Sequence, residues 1–289
     1  MIVVHGGAGP VAPDRADRLL AGVRAAAASG EGLLQRGASA LDAVVAAVRL
    51  LEDDVEFGAG TGSALTRDGT VETCASVMDG ATRRTGGIVA APNLAAPIIV
   101  ARALLERGEH AVLAGQAAMA FATEIGMQPV AHGALVTPRA QAQWQEVRAG
   151  APRTDGGGVG AVALDRNGGF AAATSAGGTV FRRPGAVDDS SVPGIGTWAD
   201  GKVAVSTSCG DAAFRIALAH EIAARIHDGA NPRSAAKDAL KQLRSLAPDS
   251  VAGVIIVDAR SWCALHLGPA MPYAWHDNAG PGAALVSAA

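Results

Sequence analysis

The sequence predicts an α+β fold in which β-sheets pack face to face with helices outside. Three observations predict it. Strand and helix patterns come in groups within each half of the chain rather than in strict alternation, which disfavours a parallel doubly wound sheet. Hydrophobic residues make up 49% and charged residues 18% of the 289 positions, enough for a sizeable core and too apolar for disorder. Aromatics are only 3%, so that core must be built from Ala, Val, Leu and Ile, while 37 glycines imply many tight turns or close backbone approaches.

Met1–His5 is a short β-branched run stopped by Gly6-Gly7 and reads as a buried strand. A helix is predicted over Asp14–Ala28. A second spans Ser39–Glu52, with Leu41, Val44, Val45, Val48 and Leu51 on one face and Ser39/Asp42 spaced as a capping box. Strands are expected around Ser63–Thr66, Thr70–Met78 and Gly87–Ala91. Helices return over Pro97–Glu106, with Pro97 at a first helical position, and over Gly115–Glu124. Arg139–Gly157 is polar, then rich in Gly and Pro, and reads as an exposed connection. Strands follow at Val159–Asp165, Gly169–Ser175 and Val203–Thr207. A helix over Asp211–Asp228 aligns Phe214, Leu218, Ile222 and Ile226, with Gly229 as its stop, and another spans Pro232–Leu246. Strands at Val251–Asp258 and Trp262–Leu267 close the pattern.

A net charge of −3 gives no electrostatic footprint for nucleic acid. No run of 18 or more apolar residues indicates a membrane span. The chain enters directly on Met1-Ile2-Val3-Val4-His5-Gly6, with no basic or cleavable apolar leader, and a cytoplasmic location is the expectation. Cys74, Cys209 and Cys263 are scattered, form no metal-ligand spacing and read as reduced thiols.

His5-Gly6-Gly7-Ala8-Gly9, the run from Ala38 to Asp53, Phe57-Gly58-Ala59-Gly60-Thr61-Gly62-Ser63, Val77-Met78-Asp79-Gly80, Gly158-Val159-Gly160-Ala161-Val162 and Ala172-Ala173-Thr174-Ser175-Ala176-Gly177-Gly178 occur in order along nearly the whole chain. Together with Pro184-Gly185 and Asp189-Ser190, this set resembles the plant-type asparaginase and isoaspartyl peptidase family. The resemblance implies a four-layer αββα sandwich of the N-terminal-nucleophile (Ntn) hydrolase type. It also implies one Ntn-hydrolase-like domain over 1–289, with an α-subunit-like part to residue 157 and a β-subunit-like part from 158, assembled as a homodimer that takes a small-molecule substrate. In that family the residue before Val-Gly-Ala-Val is a threonine that cuts its own precursor and then attacks the substrate, its freed amine serving as base. Here that residue is Gly158, without a hydroxyl, so the chain is expected to stay uncut.

Other family positions depart together. A second active-site threonine falls on Ala176, the arginine that grips the substrate α-carboxylate falls on Ala186, and an asparagine of the glycine-rich loop falls on Gly58. Asp189, which would hold the substrate amine, and a third threonine, Thr207, are kept. The loop after it reads Thr207-Ser208-Cys209-Gly210. The resemblance thus places Asp189, Thr207, Ser208, Gly210 and Ala186 at a substrate site, with Arg183 or Arg182 able to reach in from the same loop; the alternative is two solvated surface arginines. It also places a structural Na⁺, the one inorganic ion implied and no organic cofactor, on the main-chain carbonyls of Leu51, Glu52, Asp54, Phe57, Ala59 and Thr61.

For catalysis the residues offer Thr207, Cys209 and Asp189. A thiol with a lowered pKa attacks without an N-terminal amine, which makes Cys209 the sharpest alternative nucleophile; the plainer account is a small buried apolar cysteine. Asp188-Asp189 could serve as acid and base, but adjacent side chains often point apart, which favours one ligand-binding Asp189 beside a solvated Asp188. Thr207 reads as a pocket residue, since nothing near it in sequence takes its proton, and His220 as structural. Ser175 and Thr174 point to opposite faces of their strand. His5-Gly6-Gly7-Ala8-Gly9 lacks the spacing of a phosphate cradle and reads as tight backbone packing. A shifted register, with Thr154 as nucleophile, needs a gap in an otherwise continuous match.

Two readings follow: an enzyme with altered chemistry on a small amide (acyl transfer, cyclisation or elimination), or a non-catalytic homologue that binds a ligand or a partner chain. Ordinary asparagine or isoaspartyl hydrolysis comes third on chemistry.

Overall fold

The computed structural model describes residues 1–153 and 157–287. The first strand, β1 (Ile2–His5), is buried along its whole length. A short 3₁₀ turn at Pro13–Arg15 leads into α1 (Ala16–Gln35), whose Leu19, Val23, Ala26, Ala27, Gly30 and Leu34 form the inward stripe. α2 (Ala40–Asp53) starts with the capping box read from the sequence: Asp42 N–H donates to Ser39 Oγ (3.1 Å) and Ser39 N–H to Asp42 Oδ2 (3.2 Å). β2 (Glu72–Asp79) and β3 (Thr85–Pro92) form a hairpin. α3 (Pro97–Arg107) ends on Gly108 in the left-handed region at φ 70°, and it is followed by β4 (Val112–Ala114) and α4 (Gly115–Glu124).

The stretch expected to be an exposed connection instead holds a helix, α5 (Pro138–Arg148). Thr137 caps it by accepting Ala140 N–H (3.2 Å), and Trp144 Nε1–H donates to Thr66 O (2.7 Å). Of its residues only Ala140 is buried, so no apolar stripe marks it in the sequence. The Ser63–Thr66 strand does not form; an isolated bridge pairs Leu65 with Val71.

After the described residues resume come β5 (Val159–Leu164), β6 (Phe170–Ala176), a 3₁₀ turn at Asp189–Ser191, β7 (Thr197–Ala199) and β8 (Val203–Ser208). The helix expected over Asp211–Asp228 is broken. A 3₁₀ turn spans Gly210–Arg215, Ala217 takes a left-handed φ of 50°, and α6 (Leu218–His227) begins only there, which leaves Phe214 exposed. α7 (Pro232–Leu246), β9 (Ala252–Asp258) and β10 (Trp262–Leu267) match expectation closely. Two further strands, β11 (Ala270–Asp277) and β12 (Gly280–Ser287), lie beyond the predicted set. Gly268, Pro269, Pro272 and Pro281 disguise them as loop.

The larger sheet runs β12-β11-β1-β5-β6-β2-β3-β4 and the smaller β10-β9-β8-β7. Among the described strand pairs all are antiparallel except β3 with β4. Helices α1 to α4 cover the outer face of the large sheet, and α6 and α7 cover the outer face of the small one. Between the sheets, Val3, Met78, Val162 and Ala172 meet Ala204, Ile255 and Val257. This is the αββα layering expected. Among the described residues no helix is long and apolar enough to cross a membrane.

Candidate functional site

The predicted site residues come from four places that the fold brings together: the approach to β5, the end of β6, the 3₁₀ turn at Asp189, and the end of β8. Gly158 sits against the end of β6. A Cβ added there would lie 2.8 Å from Ser175 O and 3.0 Å from the Ala176 methyl. The first neighbour is backbone, so a side chain at 158 requires the strand to move. The approach is equally close on the other side: a Cβ on Gly58 would come to 3.0 Å from Gly157 O, and one on Gly7 to 2.7 Å from Gly157 Cα. Glycines at 7, 58, 157 and 158 therefore let three backbone segments touch, which is the packing role expected of the His5–Gly9 run. Thr154, the alternative nucleophile, lies outside the described residues.

Asp189 is 3% exposed. Its Oδ2 accepts Cys209 N–H (3.2 Å) and a long contact from Thr207 Oγ1 (3.4 Å). Asp188 is not the solvated neighbour expected. It is buried and caps the 3₁₀ turn, accepting Ser190 N–H (3.2 Å) and Ser190 Oγ–H (2.8 Å), and it hydrogen-bonds the Asp189 carboxyl. Burial first, and then the Asp188 charge and hydrogen bond, push the Asp189 carboxyl well above the usual carboxylate range. The shift favours the protonated form of Asp189. Thr207, fully buried, thus has a carboxyl within reach after all; its hydroxyl also contacts Ile195 O (3.4 Å).

Ser208 Oγ accepts Ala8 N–H (3.1 Å) and so ties β8 to the glycine run. Gly210 adopts φ 69° and adds its N–H to Asp189. Cys209 is buried and lines a separate cavity of about 510 Å³ with Arg153, Thr179 and Arg215. Ala176 is buried and Ala186 partly so.

The two arginines differ, and Arg182 departs from expectation. It is buried and points back into the protein, donating to Glu72 O (2.6 Å) and Ala186 O (3.0 Å), with Glu72 Oε2 at 3.9 Å and its own Nε left without a partner. It pins the loop that carries Ala186 onto β2. Arg183 is exposed. His220 packs edge-on against Trp198 at 4.6 Å between ring centroids, in keeping with a structural part.

One feature escaped sequence reasoning. A chain of buried hydroxyls crosses the space between the sheets: Ser76 to Thr197 (2.7 Å), Thr197 to Thr174 (2.6 Å), Thr174 to Ser206 (2.7 Å) and Ser206 to His5 Nε2 (3.1 Å). His5 Nδ1 accepts Gly7 N–H (3.2 Å), which assigns the proton to Nε2. Burial drives the His5 pKa down to about 3, so the ring is neutral. At the opposite end Ser76 Oγ–H also bonds Ser190 O (2.7 Å), beside the carboxyl pair. The sequence signal was no more than small hydroxyl residues scattered on β2, β6, β7 and β8. Ser175 faces the other layer, as expected, and donates to Glu52 Oε1 (2.7 Å), which also accepts Ile98 N–H (3.0 Å). Glu52 is fully buried and its carboxyl is pushed up to about 8 by desolvation.

Main-chain oxygens converge in the loop 51–61. A Cβ on Gly60 would meet Ala95 O at 2.7 Å and Glu52 O closer still; Thr61 N–H donates to Glu52 O (2.7 Å) and Phe57 N–H to Asp54 O (3.1 Å). Hard oxygen donors are the kind that suit a small cation, but Glu52 O and Asp54 O already accept N–H groups here. Arg139 Nη2 already donates to Val55 O (2.8 Å) and Phe57 O (3.4 Å).

The comparisons agree with this architecture. A family model described as asparaginase matches residues 1–280. The isoaspartyl peptidase/L-asparaginase of Danio rerio is 37% identical over 277 residues, covering 91% of this chain and 88% of its own. The human protein of the same name is 38% identical over 283 residues, covering 95% and 92%. The isoaspartyl peptidase of Salmonella typhimurium is 39% identical over 248 residues, covering 79% of each. With a whole-length family match, relatives near 38% identity and the αββα layers in place, this chain belongs to the asparaginase family.

Proposed function

We propose that this chain is an uncut member of the asparaginase family that binds a small amide- or amino-acid-derived ligand and does not hydrolyse it by the family's chemistry. The observation that carries this reading is Gly158. The position that the resemblance gives to the nucleophile has no hydroxyl, and the room a side chain would need is taken by Ser175 O and the Ala176 methyl. The near-complete burial of Asp189 and Thr207 and the inward-turned Arg182 support it. Loss of a nucleophile typically costs about 10⁶ in kcat. On this reading Asp189, Thr207, Ser208 and Gly210 shape the pocket, and Ala186 and Arg183 take no charge-pairing part.

Intact-mass spectrometry after incubation with asparagine and a β-aspartyl dipeptide tests it. The expected result is one full-length chain, near 28.8 kDa, and no released aspartate. Gly158→Thr is expected to stay uncut, because the adjoining backbone at Ser175 leaves it no room. A fragment beginning at 154 or 158, with aspartate released, would return the protein to ordinary family hydrolysis.

A second reading is favoured by the carboxyl pair. Asp189, buried beside Asp188 and with its carboxyl pushed upward, would serve as an acid toward a leaving group, with Cys209 or Thr207 as its partner. Labelling of Cys209 by a thiol probe, together with turnover of a small amide that Asp189→Asn abolishes, would favour that reading; an unlabelled, inert protein would retire it.

Three smaller expectations remain proposals. A structural Na⁺ on Leu51, Glu52, Asp54, Phe57, Ala59 and Thr61 predicts a higher Tm in NaCl than in choline chloride at equal ionic strength. A homodimer predicts twice the chain mass by light scattering. A cytoplasmic site predicts that a tagged copy fractionates with soluble cell contents.

A further inference from the structure

A cavity of about 630 Å³ is lined by Gly157 and by neither member of the carboxyl pair. Its inner wall is backbone from Gly7, Gly58 and Gly157, and Val11, Leu19 and Val180 add apolar surface. Its charged groups are almost all spoken for. Arg15 Nε meets Glu56 Oε2 at 2.8 Å, Arg18 Nε meets Glu56 Oε1 at 3.0 Å, and Asp14 pairs with Arg18 at 3.7 Å. Arg139 is the exception. It is held in place by the carbonyls of Val55 and Phe57 through Nη2 alone. Among the described residues its Nε and Nη1 make no hydrogen bond, and no carboxylate lies within 4 Å of it. Burial and the Arg15 charge pull its pKa below the ordinary value, more than the Glu56 and Asp54 charges restore. Gln143, one helical turn further along α5, lines the same cavity.

We propose that this cavity is a binding site for a small monocarboxylate, the free C-terminus of an amino acid or dipeptide, with Arg139 as its carboxylate clamp. The volume matches a ligand of that size. A guanidinium with three open N–H donors suits a carboxylate. Glu56 nearby disfavours a second negative charge, which selects against a phosphate dianion. The apolar wall suits a ligand with an aliphatic side chain. The inference concerns a cavity apart from the Asp189 pocket and rests on the binding reading above only for calling the protein a binder; hydrolysis assays decide that reading, and the contrast below decides this one.

The test is isothermal titration of the full chain with glycyl-leucine, glycyl-leucinamide and inorganic phosphate. The free acid is expected to bind, with the amide and phosphate at least tenfold weaker. Arg139→Gln should lose the acid by tenfold or more, Gln143→Ala by a few-fold, and Arg183→Gln not at all. Equal affinity for acid and amide, no binding of the acid at 10-fold excess over the millimolar range, or unchanged binding by a folded Arg139→Gln would each overturn the proposal. Should Arg139→Gln fail to fold, the acid–amide contrast and Gln143→Ala still decide it.

Discussion

Gly160, the glycine inside the Val-Gly-Ala-Val stretch, shows what a single missing methyl can secure. A Cβ there would run into Ser206 Oγ and come to 2.5 Å from His5 Nε2. The glycine thus makes room for the hydrogen bond that ends the hydroxyl chain, and each hydroxyl in that chain has a partner, as a buried polar network requires. Glu52 is less settled, because its Oε2 has no partner. Its carboxyl titrates from 4.5 when free to about 8 in the fold. Below pH 4.5 both folded and unfolded chains hold the proton, and its stabilising effect is fully present. Between 4.5 and about 8 the folded chain alone holds it, so stability falls as pH rises through that window. Asp189 adds a fall of the same sign. His5 acts oppositely: with a folded pKa of about 3 against 6.5, it removes stability as pH drops through that range. Glu52→Gln should therefore flatten the alkaline limb, raising stability at pH 8 relative to wild type by a few kcal/mol at most and leaving the acid limb unchanged. Urea midpoints at pH 5 and pH 8 check this; an unaltered alkaline slope would count against it.

At the scale of elements, much was legible in the sequence, and the misses share a cause. α2 was read correctly because an amphipathic stripe and a capping box coincide. Ser39→Ala should lower stability by about 1 kcal/mol, measured by thermal or urea unfolding, since it removes the acceptor for Asp42 N–H. No loss within error would mean that the cap is redundant with tertiary packing. α5 was missed because it lies on the surface, held by a cap and one indole hydrogen bond instead of an apolar face. β11 and β12 were missed because Pro and Gly suppress the strand pattern, although Pro272 tolerates its place in β11. The break before α6 rests on the left-handed turn at Ala217, which the unbroken apolar spacing concealed. The site followed the same logic. Residue identities revealed Gly158, Ala176 and Ala186, but the inward turn of Arg182, the pairing of Asp188 with Asp189 and the clamp-like setting of Arg139 depend on long-range packing that spacing does not carry.

At the scale of the molecule, the order β12-β11-β1-β5-β6-β2-β3-β4 interleaves the two halves of the chain. β1 lies between β11 and β5, while β6 lies against β2. Neither half can close the large sheet alone, since each would expose strand edges and a shared apolar face. The peptide bond between Gly157 and Gly158 is thus a tether between two parts that already hold each other through three strand ladders, β1 with β11, β1 with β5 and β2 with β6. Its service is kinetic and entropic: it keeps the partners at an effective concentration in the millimolar range while they fold. Co-expressed fragments 1–157 and 158–289 should consequently co-purify as a native-like pair, and either expressed by itself should aggregate. A folded, soluble 1–157 fragment by circular dichroism would argue against this. If the chain stays uncut as proposed, a nick at that bond would change how the molecule is born more than how it is held together.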